Sequence, residues 1–325
     1  MPAVPVVDLA ATGPERIAAA RQLDQACRHV GLFEIVGHGI APGLVDDLFA
    51  VTREFFALPD AEKATVAQPA PDQVRGWTAL GSEGITYSLD EESPADLKEK
   101  MDMGPVGEVP ADLAAAAGPH LAPNLWPAAL PGMRPVWEQA HGHLDRVGAD
   151  LLALCALAFG LPDDWFVPRT DRAISMLRAL WYPDQVEPPL AGQSRAGVHS
   201  DYGAFTVMTA EDRPGGYEVL DRGGEWTPVA TSPGSWLVGV GDLLAEWTAD
   251  TWPSTLHRVV NPPRPQALDS ARLAFAFYQH PNHDLHVETL PPFRDGTDPA
   301  AGVPLTAGDH LRQKYLRQTT FGRLS

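Results

Sequence analysis

Two residues two positions apart, His199 and Asp201 in the run VHSDYGAFTVM, combine a nitrogen donor with a carboxylate. The run reads as a strand entry, and a spacing of two on a strand puts both side chains on one face. A histidine and a carboxylate so placed supply two of the three ligands of a 2-His-1-carboxylate facial metal site. His257, in STLHRVV, can supply the third. The 55 residues between it and Asp201 let the chain leave the sheet and return on a strand across a barrel. The same donors suit zinc, and a buried His–Asp hydrogen bond without metal is a common structural pair. Arg272, 15 positions after His257, heads the apolar run RLAFAFYQ. A guanidinium beside a metal site can clamp a carboxylate in bidentate fashion, whereas on an edge strand it would be solvated. Tyr182, in RALWYPD, offers a hydroxyl from another strand.

The other histidines, out of eleven in all, carry less. His141 and His143 are two apart on a helix and point to different faces. His280, His283 and His286 read as solvated loop residues, and His38 in its glycine turn reads as a local hydrogen-bonding group. His29, His120 and His310 have no nearby partner in sequence. The two cysteines, Cys27 and Cys155, exclude a disulfide scaffold and a cysteine-rich zinc module. Both fall in helical segments and read as small buried side chains.

The elements that must position these residues follow from periodicity. Val4 to Leu9 and LFEIV at 32–36 read as strands. Ile17, Ala20, Leu23, Cys27 and Val30 recur at helical spacing, with Gly31 as C-cap, and a second helix covers Leu44 to Leu58. Residues 65–133 read as mostly irregular loops over a site. The strongest helix is 135–159, closed by Gly160, and its apolar stripe requires a sheet face. After Pro168, AISMLRALWY, GAFTVMTA, GYEVLD, SWLVGVG, TLHRVV and RLAFAFYQ read as short strands between turns. That texture indicates an antiparallel sandwich or barrel. A last helix starts at Thr306 as N-cap, with Asp309 at its third position, and runs to about Arg317. The expected organisation is one catalytic unit over 1–325. A helical and loop region, 1–133, packs on the barrel, and 134–325 holds the long helix, the core and the C-terminal helix.

The chain has 325 residues, 44% of them hydrophobic and 20% charged, which suits a globular protein with a sizeable core. Lys and Arg number 24 against 42 Asp and Glu, a net charge of −18. This argues against a nucleic-acid partner and against an anionic membrane surface. No apolar stretch reaches transmembrane length and no secretory signal is evident, so a cytoplasmic, reducing location is expected. Composition and spacing leave the oligomeric state open.

The runs VPVVDLA, GLFEIVGHGI, FFALPDAEK, RGWTALGSEG, HSDYGAFTVM, GDLLAEWTADTWPSTLHRVV and RLAFAFYQHPNHD, in that order, resemble the Fe(II)/2-oxoglutarate-dependent dioxygenases, in the branch similar to isopenicillin N synthase. The resemblance implies a mainly β fold with flanking helices, a double-stranded β-helix (a jelly-roll, cupin-like barrel). It implies iron on His199, Asp201 and His257, 2-oxoglutarate on Arg272 with Tyr182 as helper, and dioxygen as oxidant. It implies oxidation of a small-molecule substrate by hydroxylation, desaturation or ring closure, in secondary-metabolite biosynthesis by analogy. Candidate pocket residues are Arg75, Tyr87, Lys98, Met101, Tyr202, Trp247 and Tyr278. Two positions depart from the family pattern. Ala274 stands where a serine shares the grip on the distal carboxylate, and Ala249 stands where asparagine is common. The first leaves room for an iron oxidase that uses no 2-oxoglutarate, with Arg272 on the substrate's own carboxylate. A non-enzymatic ligand-binding jelly roll and a zinc hydrolase are more distant readings.

Overall fold

A computed structural model describes residues 4–89, 93–230, 232, 234–294 and 305–320. The strands are β1 (Val6–Asp8), β2 (Leu32–Val36), β3 (Gly76–Thr78), β4 (Glu99–Met103), β5 (Met176–Tyr182) and β6 (Ala196–His199). They continue with β7 (Phe205–Ala210), β8 (Tyr217–Leu220), β9 (Trp226–Pro228), β10 (Trp236–Val240), β11 (His257–Val259) and β12 (Arg272–Gln279). The helices are α1 (Gly13–His29), α2 (Pro42–Ala57), α3 (Asp60–Lys63), α4 (Ala111–Ala117), α5 (Met133–Phe159), α6 (Val167–Thr170), α7 (Asp242–Trp247) and α8 (Ala307–Thr320).

Among the described residues the strands form a large sheet in the order β1-β2-β10-β7-β12-β5-β4-β3 and a small one in the order β6-β11-β8-β9. Every pairing is antiparallel except β1 with β2. The two sheets enclose a cavity of about 420 Å³ lined from both. This is a jelly-roll barrel of unequal halves with helices outside it.

Alternation along the strands separates the two faces of the large sheet. On β12, Leu273, Phe275 and Phe277 join the main apolar core, whereas Arg272, Ala274, Ala276 and Tyr278 line the cavity. The core face is covered by α5, which also packs against α1 and α2. Gly148 brings α5 close to the sheet, because a Cβ there would lie 2.7 Å from Gln279 Cγ. Trp137 is fully buried and donates from Nε1 to Thr52 Oγ1 at 2.8 Å. Cys27 on α1 and Cys155 on α5 are buried free thiols, and burial raises the pKa of both well above the usual value.

The loop region differs from expectation. Residues 65–133 contribute β3 and β4, and β4 pairs with β5 over five residues as an inner strand of the large sheet. Its alternation, charged inward and Met101 and Met103 outward, was hidden by the surrounding Pro, Gly and Ala. The C-terminal helix begins as its sequence indicates. Asp309 N donates to Thr306 Oγ1 at 3.1 Å, and the helix runs three residues past Arg317.

After α7 the chain reverses through two non-glycine residues with positive φ, Ala249 at 45° and Asp250 at 56°. Asparagine adopts this left-handed conformation at lower cost than alanine, which accounts for the residue common at position 249 in the family resembled above. Ala249 is exposed, so its side chain offers little in return. Ala249→Gly should therefore stabilise the protein by about 1 kcal/mol, measured as a higher urea midpoint at unchanged m value.

Candidate active site

His199 ends β6 and His257 opens β11, and the two are direct partners in the small sheet, with ring centroids 4.1 Å apart. They are thus neighbours on adjacent strands, not residues facing each other across the barrel. His199 Nδ1 lies 2.8 Å from Gly197 O and His257 Nδ1 lies 3.0 Å from Thr255 O. A carbonyl only accepts, so both Nδ1 atoms carry a proton, which in the neutral ring leaves the Nε2 lone pair free. Those Nε2 atoms lie 3.9 and 3.7 Å from Asp201 Oδ1.

Asp201 is not on a strand. It lies in the connection between β6 and β7, and its carbonyl accepts from Asp242 N, at the start of α7, at 2.8 Å. Gly241 permits this, because a Cβ there would lie 2.3 Å from Gly203 O and 3.1 Å from Asp201 O. The carboxylate therefore reaches the histidines through loop packing rather than through strand alternation. All three donor atoms lie within 4.8 Å of one another, and all three residues are buried. Two neutral imidazoles and one carboxylate fit a divalent first-row ion such as Fe(II).

Arg272, first residue of β12, faces Tyr182 across the ladder. Its Nε donates to Glu211 O at 2.9 Å and its Nη1 to Gly215 O at 3.4 Å, leaving Nη2 without a hydrogen-bond partner among the described residues. Burial pushes its pKa down while Tyr182, Asp212 and Glu211 oppose that shift. The Tyr182 hydroxyl also lacks a partner among the described residues, and burial raises its pKa, so it stays protonated. Arg272 with the Tyr182 hydroxyl thus has the donor set for a carboxylate.

These features agree with what known proteins show. Residues 4–129 match the N-terminal model of non-haem dioxygenases in morphine synthesis, and residues 173–281 match the 2OG-Fe(II) oxygenase superfamily. A proline hydroxylase of Petromyces alliaceus is 34% identical over 84% of this chain and 84% of its own. The validamycin A dioxygenase of Streptomyces hygroscopicus subsp. limoneus is 30% identical over 98% of this chain and 87% of its own. A full-length Neurospora crassa protein, solved in complex with alpha-KG (2-oxoglutarate), superposes with a TM-score of 0.82 at 26% identity, over 96% of this chain and 95% of that one.

The chain belongs to the 2OG-Fe(II) oxygenase superfamily. It is a dioxygenase that uses Fe(II), 2-oxoglutarate and dioxygen. The readings as a non-enzymatic jelly roll, a zinc hydrolase or an oxidase without 2-oxoglutarate give way to this one. No helix among the described residues is long and apolar enough to cross a membrane.

Of the residues expected around the oxygenase's substrate, Lys98 and Tyr278 line the cavity. The other five lie elsewhere. Met101 sits on the outer face of β4, fully buried in the core. Trp247 packs on α7 against Phe166, and the Tyr87 hydroxyl donates to Ser93 O at 2.8 Å. Arg75 is 1% exposed, with its guanidinium donating to Val74 O, His120 O and Ala122 O. Tyr202 borders a small adjoining cavity, and its hydroxyl accepts from Gln318 on α8. His280, expected in solvent, is 1% exposed, and burial pushes its pKa down to about 3.

Several residues of the site escaped the sequence reading. Arg178 on β5 lines the cavity, four residues before Tyr182 and so on the same face, a signal present in MLRALWY. It holds Asp102 through Nε at 2.6 Å and Nη2 at 3.3 Å. Lys100 pairs with Glu83 at 2.7 Å, and Lys98 pairs with Asp96. Burial would raise the Glu83 carboxyl, but Lys100, Lys98 and Arg178 outweigh it and hold it at about 2. Asp96 also accepts from Ile85 N at 3.0 Å and Gly197 N at 2.9 Å. Gly197 is the residue whose carbonyl orients His199. Arg195 is wholly buried and binds the backbone of Pro214, Gly215 and Ser270 beside Arg272.

Mn(II), an oxygen-stable substitute for Fe(II), should stabilise the protein by about 2.7 kcal/mol at a hundred times its dissociation constant. The rise in melting temperature should vanish in Asp201→Ala. A wild-type protein indifferent to Mn(II) would contradict the donor geometry.

Proposed function

We propose that His199, Asp201 and His257 hold the Fe(II), and that Arg272 with the Tyr182 hydroxyl grips the far carboxylate of 2-oxoglutarate. The observation that carries this reading is the pair of Nδ1–H···O=C bonds, which aim two free Nε2 lone pairs at one carboxylate in a buried cavity. When bound, the metal and 2-oxoglutarate would supply, with dioxygen, the oxidising power for a substrate C–H bond. The protein's part is geometric and electrostatic. Gly197 O and Thr255 O fix the tautomer and ring angle of the two histidines. Arg272 and Tyr182 orient the cosubstrate, and the barrel walls limit water around the reacting carbon.

The cavity of about 420 Å³ suits a small molecule. Relatives support that reading: one structure of the Neurospora crassa protein holds thymine, and another relative is named for validamycin A. We place the reaction as a tailoring oxidation in secondary metabolism, by hydroxylation, desaturation or ring closure. We propose that the chain acts as one catalytic unit in the cytoplasm, where its two thiols stay reduced.

At Ala274 the cosubstrate grip lacks a hydroxyl, and the ladder neighbours Leu180 and Ala210 supply none. Arg272→Leu should raise the apparent KM for 2-oxoglutarate by about one and a half to nearly four decades, as loss of one partner of a desolvated charge pair costs about 2–5 kcal/mol. Metal binding should persist. An unchanged KM in a coupled succinate assay would remove Arg272 from this role.

Ala274→Ser should tighten 2-oxoglutarate by up to about tenfold and leave the substrate KM nearly unmoved. A shift confined to the substrate KM would instead place Arg272 on the substrate.

A further inference from the structure

The cavity wall formed by β4 and β5 is built around charges that are already paired. Arg272 and Tyr278 are six residues apart on β12, about 20 Å along the strand, with Ala274 and Ala276 between them on the cavity face. Arg178 sits beside Ala276 in the ladder, and Thr206 beside Tyr278. Arg178 commits Nε and Nη2 to Asp102, and its Nη1 has no hydrogen-bond partner among the described residues. The Tyr278 hydroxyl lacks one as well, as does that of Tyr217, which packs nearer Tyr182 and Ala274, and Thr206 Oγ1 is buried without one. Burial raises the pKa of the Tyr278 hydroxyl, so it remains a donor. Four donors from four strands therefore border one cavity without an acceptor among the described residues.

The charges, by contrast, are spent. Arg178 faces Asp102, Lys98 faces Asp96 and Lys100 faces Glu83, three cations against three carboxylates. Arg75, whose field reaches Asp102, is capped by three carbonyl oxygens outside the cavity. With Fe(II) and 2-oxoglutarate bound as proposed above, the metal's charge is balanced by Asp201 and one cosubstrate carboxylate, and Arg272 balances the other. A substrate carboxylate near Arg178 and Tyr278 would be an unmatched buried charge near Asp201, and an ammonium there would find no free carboxylate, because Asp212, which lines the cavity without an ion pair among the described residues, is exposed beside Arg272. Either is strongly disfavoured. An uncharged acceptor satisfies the unpaired donors without upsetting the balance.

We infer that the primary substrate is a small uncharged molecule that presents a carbonyl oxygen, of an amide, lactam or imide, to Arg178 Nη1 and the Tyr278 hydroxyl. This rests on the site reading given under the proposed function, and the test separates the two. Enzyme loaded with Mn(II) and 2-oxoglutarate is titrated with four ring-matched probes: 2-piperidone, glutarimide, cyclohexanecarboxylate and cyclohexylamine. Binding is read from Mn(II)-dependent broadening of the probe proton signals. The two neutral probes should bind at least about tenfold more tightly than the two charged ones. Tyr278→Phe should weaken the neutral probes by about threefold to tenfold. It should leave 2-oxoglutarate affinity and melting temperature unmoved, because the hydroxyl has no partner among the described residues. Equal or tighter binding of the carboxylate or the amine overturns the inference. So does absence of binding by the neutral probes, or indifference to Tyr278→Phe. Broadening of the 2-oxoglutarate signals in the same samples, and its loss in Asp201→Ala, reports on the metal and cosubstrate separately. If that arm fails, the site reading fails with it; if it holds while the probes fail, only the substrate inference falls.

Discussion

Strand β12 has to present a packed apolar face to α5 and an open polar face to the cavity within the same eight residues. Period-two alternation lets one strand meet both demands, and the rest of the architecture follows from it. Leu273, Phe275 and Phe277 anchor the barrel to the long helix. Arg272 and Tyr278 mark the two ends of the cavity, and the alanines between them keep its floor low. A one-residue slip would exchange the faces, placing the guanidinium in the core and phenylalanines in the site. Pairing over seven positions with β5 and six with β7 holds the register against that.

The buried charges between β4, β5 and the 83–98 segment are poorly explained as stabilisers. Removing six ionised groups from water is costly, and apolar substitutes of similar volume are often at least as stable. Their geometry suggests a different use. Asp96 joins Ile85 N, Gly197 N and Lys98, so one carboxylate ties a cavity-lining turn to the backbone that orients His199. Asp102 fixes Arg178 by two bonds and leaves its third nitrogen without a hydrogen-bond partner among the described residues. Each charge holds another group in place, and the neutral sum keeps the interior from demanding a counter-ion.

Most of the barrel was legible because its strands alternate and its turns are marked by Gly and Pro. The metal donors were legible as a set but not in their placement. The H-x-D spacing suggested a shared strand face, whereas Asp201 depends on Gly241 and the start of α7, some forty residues on. Long-range packing of this kind leaves no local trace. β4 was missed although DLKEKMDM alternates charge with apolar residues, because its inward face is ionic rather than apolar. Met101 and Arg75 were misplaced for the complementary reason. Nearness in sequence to the cavity-lining strand says nothing about which face a residue takes, and Arg75 found its partners among carbonyl oxygens of residues 120 and 122.

The two thiols have a bearing on how such an enzyme ages. Iron and dioxygen together generate damaging oxidants whenever turnover miscarries, and exposed thiolates are early targets. Cys27 and Cys155 lie in the packed layer between α1 and α5, fully buried, protonated by desolvation and separated from the cavity by the large sheet. Neither is a reactive nucleophile in the folded state. Oxidative inactivation should therefore begin among the cavity-lining side chains and reach the sulfur atoms of these cysteines only after the helical layer has opened.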